Sequence, residues 1–132
     1  SNKDAGIVCG RSLDFANNFE IGISKPKPLW LFPILMPIVH PACFVRKSVY
    51  EKIGAFQDKY KVSGDYDWLY RAYYGSQKFI FTKDILVNRE LGGYANSNRK
   101  MARIETLFVA YNYARFSGLS IFSFLLRHIL RK

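Results

Sequence analysis

All five prolines of this chain fall between Pro26 and Pro41, and that clustering constrains the fold more than any other feature. A proline ring fixes φ and removes a backbone donor, so no regular helix can run through the stretch. Yet the same stretch holds Trp30, Leu31, Phe32, Ile34, Leu35 and Met36. An apolar segment barred from regular structure is expected to pack as an irregular loop. The run from Lys25 to Pro37 therefore divides the chain into an early part and a later one.

Before the loop, Ile7 to Phe15 alternates weakly and Phe19 to Ile23 follows, which predicts two strands joined at Asn17-Asn18. After it, Cys43 to Arg46 reads as a short strand and Lys47 to Ile53 as a helix closed by Gly54. The clearest helix runs from Gly64 to Tyr74, with Ser63 as its expected cap and Gly75 as its stop. Leu69, Ala72 and Tyr73 share one of its faces. Lys78–Thr82 and Ile85–Glu90 read as two strands with Lys83-Asp84 at the turn, and Gly92–Arg99 as a loop. From Arg99 to Phe116, Ile104, Leu107, Phe108, Tyr111 and Ala114 recur at helical spacing, and a last helix starts after Gly118. Strands are few and irregular segments long. A self-contained α/β domain would open on central strands and βαβ units, so the chain reads as a piece whose first half is missing.

Composition narrows the function classes. Of 132 residues, 49% are hydrophobic and 17% aromatic, enough for a packed core and too much for a disordered segment. The net charge of +10 favours anionic partners such as phosphorylated small molecules, nucleic acid or an acidic membrane surface. The cations are scattered, and no recognition helix or other nucleic-acid motif collects them. Cys9 and Cys43 show no metal-ligand or redox spacing and read as two reduced thiols, in keeping with an intracellular setting.

Three blocks carry the chemistry. They are MPIVHPACFVRKSVYEKIGAF from Met36, VSGDYDWLYRAYYG from Val62, and FIFTKDILVNRELGGYANSN from Phe79, the last followed by a helix bearing Glu105. Their order resembles the carboxy-terminal, acceptor-side half of bacterial family-2 glycosyltransferases of the GT-A fold. The likeness runs from Met36 to about Tyr113. It implies an α/β fold of which this chain is part, with few strands, a central helix headed by an aspartate, and helices at the carboxy terminus. It also implies inverting transfer of a sugar from a nucleotide-diphosphate donor to a saccharide or lipid-linked acceptor. The donor site and the metal-binding carboxylates would lie in the missing amino-terminal half, leaving this chain inactive alone. The full-length enzyme would use Mg²⁺ or Mn²⁺, with no metal expected on this chain.

Residue by residue, Asp65 matches the catalytic base, a carboxylate placed to take the proton of an attacking hydroxyl. It can also be read as an ordinary carboxylate in the first turn of a helix. Asp65-Tyr66-Asp67 spells the DxD string of metal-binding transferases. It opens a helix rather than ending a buried strand, and Asp67 stands four residues before Arg71, so an ion pair along the helix is expected. His40 is expected either to touch a phosphate or acceptor hydroxyl, or to be a half-buried histidine bonded to backbone. Arg46 either faces the site or is a surface arginine at a strand end. Trp68, Gly92 and Gly93 complete the substrate-binding set, the glycines in a loop that would close over substrate. Tyr70, Tyr73 and Tyr74 with Trp68 invite sugar stacking, although aromatics at helical spacing are mostly core and Tyr73 is read so, and Trp30 is read as a contact for acceptor or lipid.

Residues 1–117 are taken as the acceptor-side part of the domain and 118–132 as a basic amphipathic helix. That helix carries Ile121, Phe122, Leu125, Leu126 and Ile129 on one side and Arg127, His128 and Arg131 largely on the other. It would lie on an anionic membrane surface or pack on protein, placing the protein in the cytoplasm at the inner face of the membrane. The competing reading is a basic, aromatic-rich module that binds anionic membrane or nucleic acid.

Overall fold

A computed structural model describes residues 4–113. The basic helix expected over residues 118–132, and the membrane contact attached to it, lie outside them. Among the described residues no helix is long and apolar enough to cross a membrane.

Strand β1 (Ile7–Ala16) is the axis of a four-stranded mixed sheet. Along one edge it pairs in parallel with β4 (Phe79–Glu90). Its antiparallel partners share the rest of its length: β3 (Cys43–Val45) meets Ile7 to Cys9, and β2 (Phe19–Ser24) meets Ser12 to Ala16. The β1–β2 turn is Asn17-Asn18, with φ of 51° and 65°. Asparagine is one of the few side chains that tolerates this left-handed region.

Strand β4 corrects the expected hairpin at Lys83-Asp84. It is a single strand whose register against β1 jumps from Cys9↔Phe81 to Arg11↔Ile85. The extra residues bulge instead of reversing the chain. Gly10 makes room for the bulge: a Cβ there would lie 2.5 Å from the Leu86 side chain and 2.9 Å from the Asp84 carbonyl oxygen. In place of a loop after β4, a short helix α3 (Tyr94–Ser97) leads into α4 (Arg99–Tyr113).

Helices α1 (Lys47–Ile53), α2 (Gly64–Tyr74) and α4 join β1 in one core. Ile7 and Cys9 of β1 meet Val49 of α1, Trp68, Leu69 and Ala72 of α2, and Val109 and Ala110 of α4. The proline-rich segment behaves as expected of an apolar loop. Its Phe32 is fully buried and stacks on Tyr70 and Tyr73, each at 5.1 Å between ring centroids. The Tyr66 hydroxyl donates to the Phe32 carbonyl, so the loop is bonded as well as packed.

The structure decides which face of α4 meets the core. Ile104, Phe108 and Tyr111 face outward, while Glu105, Val109 and Ala110 are buried. The buried carboxylate is accommodated because backbone N–H groups of the segment before α2 converge on it.

Candidate functional site

The head of α2 is built from α4. Glu105 accepts hydrogen bonds from the N–H groups of Lys61, Val62 and Ser63, at 2.8, 2.7 and 2.8 Å. Burial raises the Glu105 pKa, but these three donors outweigh it and leave the group below the ordinary carboxylate range. Ser63 does not cap α2 with its side chain as expected. Its hydroxyl is engaged instead by α4, lying 3.1 Å from Thr106 Oγ1 and 3.3 Å from the Ala102 carbonyl oxygen. Asp65, two residues on, is thereby set in position on the first turn.

His40 arrives from the other side. It opens a short 3-10 turn, His40–Ala42, at the end of the proline-rich segment and just before β3. Its Nδ1 lies 3.7 Å from Asp65 Oδ2, and both side chains are more than one-third exposed. That separation exceeds hydrogen-bond range, so the two groups are juxtaposed without a direct bond, and Asp65 Oδ1 accepts instead from the Tyr66 N–H at 2.8 Å. The structure thus brings together His40 and Asp65, which are remote in sequence. Phe56 stands edge-on to the His40 ring at 6.2 Å.

Asp67 forms the expected pair with Arg71, Oδ2 receiving Arg71 Nε at 3.0 Å. Its other oxygen accepts from the Tyr113 hydroxyl at 2.9 Å, and the residue is completely buried. Burial and the carboxylate beside it both push the Tyr113 hydroxyl upward in pKa. Arg71 extends the link to the carbonyls of Ile53 and Ala55. Asp67 therefore ties α2 to α1 and α4. Both its oxygens are engaged, and the DxD string does not present two carboxylates to one ion. Among the described residues no group of three His, Cys, Asp or Glu could hold a metal.

The other expected site residues are distributed differently. Trp68 is 1% exposed, its Nε1 donates to the Gly54 carbonyl at 2.7 Å, and its ring is covered by Tyr50 and Phe56. It buttresses Phe56 behind His40 and presents no open face for a sugar. Arg46 is exposed at the far end of β3 from His40, where its backbone N–H bonds to the Gly6 carbonyl. Gly92 has φ of 110° and directs the chain from β4 into α3, whereas Gly93 is in ordinary extended backbone at φ −64°. Both are exposed. Trp30 is 66% exposed.

Two arrangements were not read from the sequence. Asp14 on β1 receives Arg89 of β4 through Nε at 3.0 Å and Nη2 at 2.7 Å, and both Ser12 and Ser24 hydroxyls donate to it. The Arg89 bonds are the main cause holding Asp14 down at a pKa of about 2, against the opposing effect of burial. The available signal was weak: Ser12 and Asp14 occupy alternate, inward positions of a strand where apolar residues are expected. Cys9 and Cys43, opposite each other on β1 and β3, bring their sulfurs to 2.8 Å as free thiols. The Cys9 thiol and burial together push Cys43 up in pKa. No spacing rule could reveal that contact.

No protein-family model matches the chain. No solved structure matches it either. A protein of Rickettsia prowazekii (strain Madrid E), named as an uncharacterized glycosyltransferase, is 24% identical to it over 113 residues. The match covers 79% of this chain and 35% of that protein, so the chain spans about a third of its relative's length. By sequence, then, this mixed α/β chain is similar to part of a glycosyltransferase.

Proposed function

We propose that the chain is the acceptor-side part of an inverting family-2 glycosyltransferase of the GT-A fold, with Asp65 as general base. The observation that supports this most directly is the His40–Asp65 juxtaposition at 3.7 Å, with both groups partly open to solvent. A base must be reachable by the hydroxyl whose proton it takes, and must be held rigidly while it does so. Asp65 meets both needs, because α2 is anchored at its head by Glu105 and within its first turns by Asp67. As an acceptor hydroxyl attacks the anomeric carbon, its proton passes to the Asp65 carboxylate and the nucleoside diphosphate departs from the opposite face. The Tyr66 N–H, donating to Asp65 Oδ1 at 2.8 Å, holds the carboxylate, and His40 beside it offers a polar contact to the acceptor. Relationship to a protein named as a glycosyltransferase supports the reaction class.

A divalent cation that neutralises the leaving diphosphate belongs to this reaction as it is usually run. The described residues do not fit one, because Asp67 is committed to Arg71 and Tyr113. On this proposal the cation and the donor are held by the part of the enzyme that the relative has and this chain does not span. The acceptor is a saccharide or a lipid-linked sugar.

The test uses the intact enzyme, with release of nucleoside diphosphate from a panel of nucleotide sugars as the readout. Asp65→Asn should lower kcat by about 10²-fold or more while leaving the melting temperature unchanged. Turnover within about threefold of the parent, in a variant that melts normally, removes Asp65 from the role of base.

A further inference from the structure

We propose a second binding site: the cavity between the proline-rich loop and the start of α4 takes a phosphate-bearing anion. The cavity measures about 440 Å³. Lys27 lines it from the loop, and Asn96, Arg99, Arg103 and Thr106 from α3 and α4. Three cations and two neutral polar side chains thus share one concave space with no carboxylate among its lining residues.

The deficit of negative charge is a property of the whole chain. All ten acidic residues lie within the described residues, and none lines this cavity. Glu105, next along α4, is turned away and committed to the N–H groups of Lys61, Val62 and Ser63. Asp14 neutralises Arg89, and Asp67 neutralises Arg71. Nothing comparable serves Lys27, Arg99 or Arg103 among the described residues.

Arg103 adds an independent sign. Its Nε is buried and has no hydrogen-bond partner among the described residues. A buried donor without a partner is costly, and in native proteins it usually marks a missing water or ion. A guanidinium offers donors in a planar fork that matches the oxygens of a phosphate, and a lysine adds a point charge. A phosphate or diphosphate in the cavity supplies the negative charge that the three cations leave unbalanced. The inference does not rest on the role of Asp65. Thr106 on the cavity wall meets Ser63 at the head of α2, at 3.1 Å between their hydroxyl oxygens.

The phosphate can belong to a soluble diphosphate or to a lipid headgroup, and two probes separate them. Inorganic pyrophosphate is titrated into the full chain by calorimetry at low salt. Phosphatidylcholine vesicles, with and without phosphatidic acid, are tested by co-sedimentation. Arg103→Gln and Lys27→Gln change opposite walls, and Lys47→Gln removes an exposed charge on α1 as a control. The expected result is saturable binding of at least one probe, weakened about tenfold by either wall variant and unaffected by the control. Binding of pyrophosphate alone assigns a soluble ligand, while phosphatidic-acid vesicles that pyrophosphate displaces assign a lipid-borne one. If Arg103→Gln does not fold, the exposed Lys27 still carries the test. The site is overturned if neither probe saturates, if binding ignores both wall variants, or if Lys47→Gln weakens it equally.

Discussion

Replacing Glu105 with glutamine tests whether the head of α2 is held from α4. The carboxylate receives three backbone N–H groups, one on Oε1 and two on Oε2. Glutamine keeps the shape but has a single carbonyl oxygen. Turned to serve Val62 and Ser63, it points its own N–H₂ at the Lys61 donor. One partly buried donor is then unpaired, at about 1–3 kcal/mol, and the two remaining bonds lose the charge, at about 1 kcal/mol each. The sum is about 4 kcal/mol, a large part of the stability of a domain this size. With a urea slope of about 2 kcal/mol per molar, the midpoint should fall by about 2 M. Equilibrium unfolding followed by the fluorescence of buried Trp68 reads it directly. The loss should also shrink in acid. The folded-state pKa of Glu105 is depressed, so its contribution is complete above the ordinary value of 4.5 and disappears as pH falls through the folded value. A midpoint within about 0.3 M of the parent at neutral pH would refute the reasoning, and the anchoring of α2 would have to lie elsewhere.

Two further outcomes follow from the sheet. Gly10→Ala places a methyl against the Asp84 carbonyl and Leu86, so thermal unfolding should show a loss of about 2–3 kcal/mol, with little change from the same substitution at exposed Gly93. Asp14 has a folded pKa of about 2 against an ordinary 3.8, so its contribution of about 2 kcal/mol is intact above pH 4 and is lost between about pH 4 and pH 2. Melting temperatures measured across that window should fall in the parent and stay flatter in Asp14→Asn, whose stability is already reduced because Arg89 has lost its ion pair.

Local chemistry in the sequence determined a good part of this protein. Helix α2 begins at Gly64 and ends at Tyr74 as its flanking residues predict, and α1 stops at Gly54. Asn17-Asn18 makes the turn between β1 and β2, and Asp67 pairs with Arg71 one helical turn away. Each of these depends on residues within a few positions of one another, where propensity, capping and helical spacing act. The tertiary structure decided what depends on distant segments. Periodicity grouped Ile104, Phe108 and Tyr111 on one face of α4 but could not tell which face would meet the core. That choice went to Glu105, Val109 and Ala110, because the segment before α2 supplies the donors a buried carboxylate requires. The same holds for Asp14 with Arg89, Cys9 with Cys43, and His40 with Asp65. In each case the chain must fold before the partners exist, and no short-range pattern encodes the meeting.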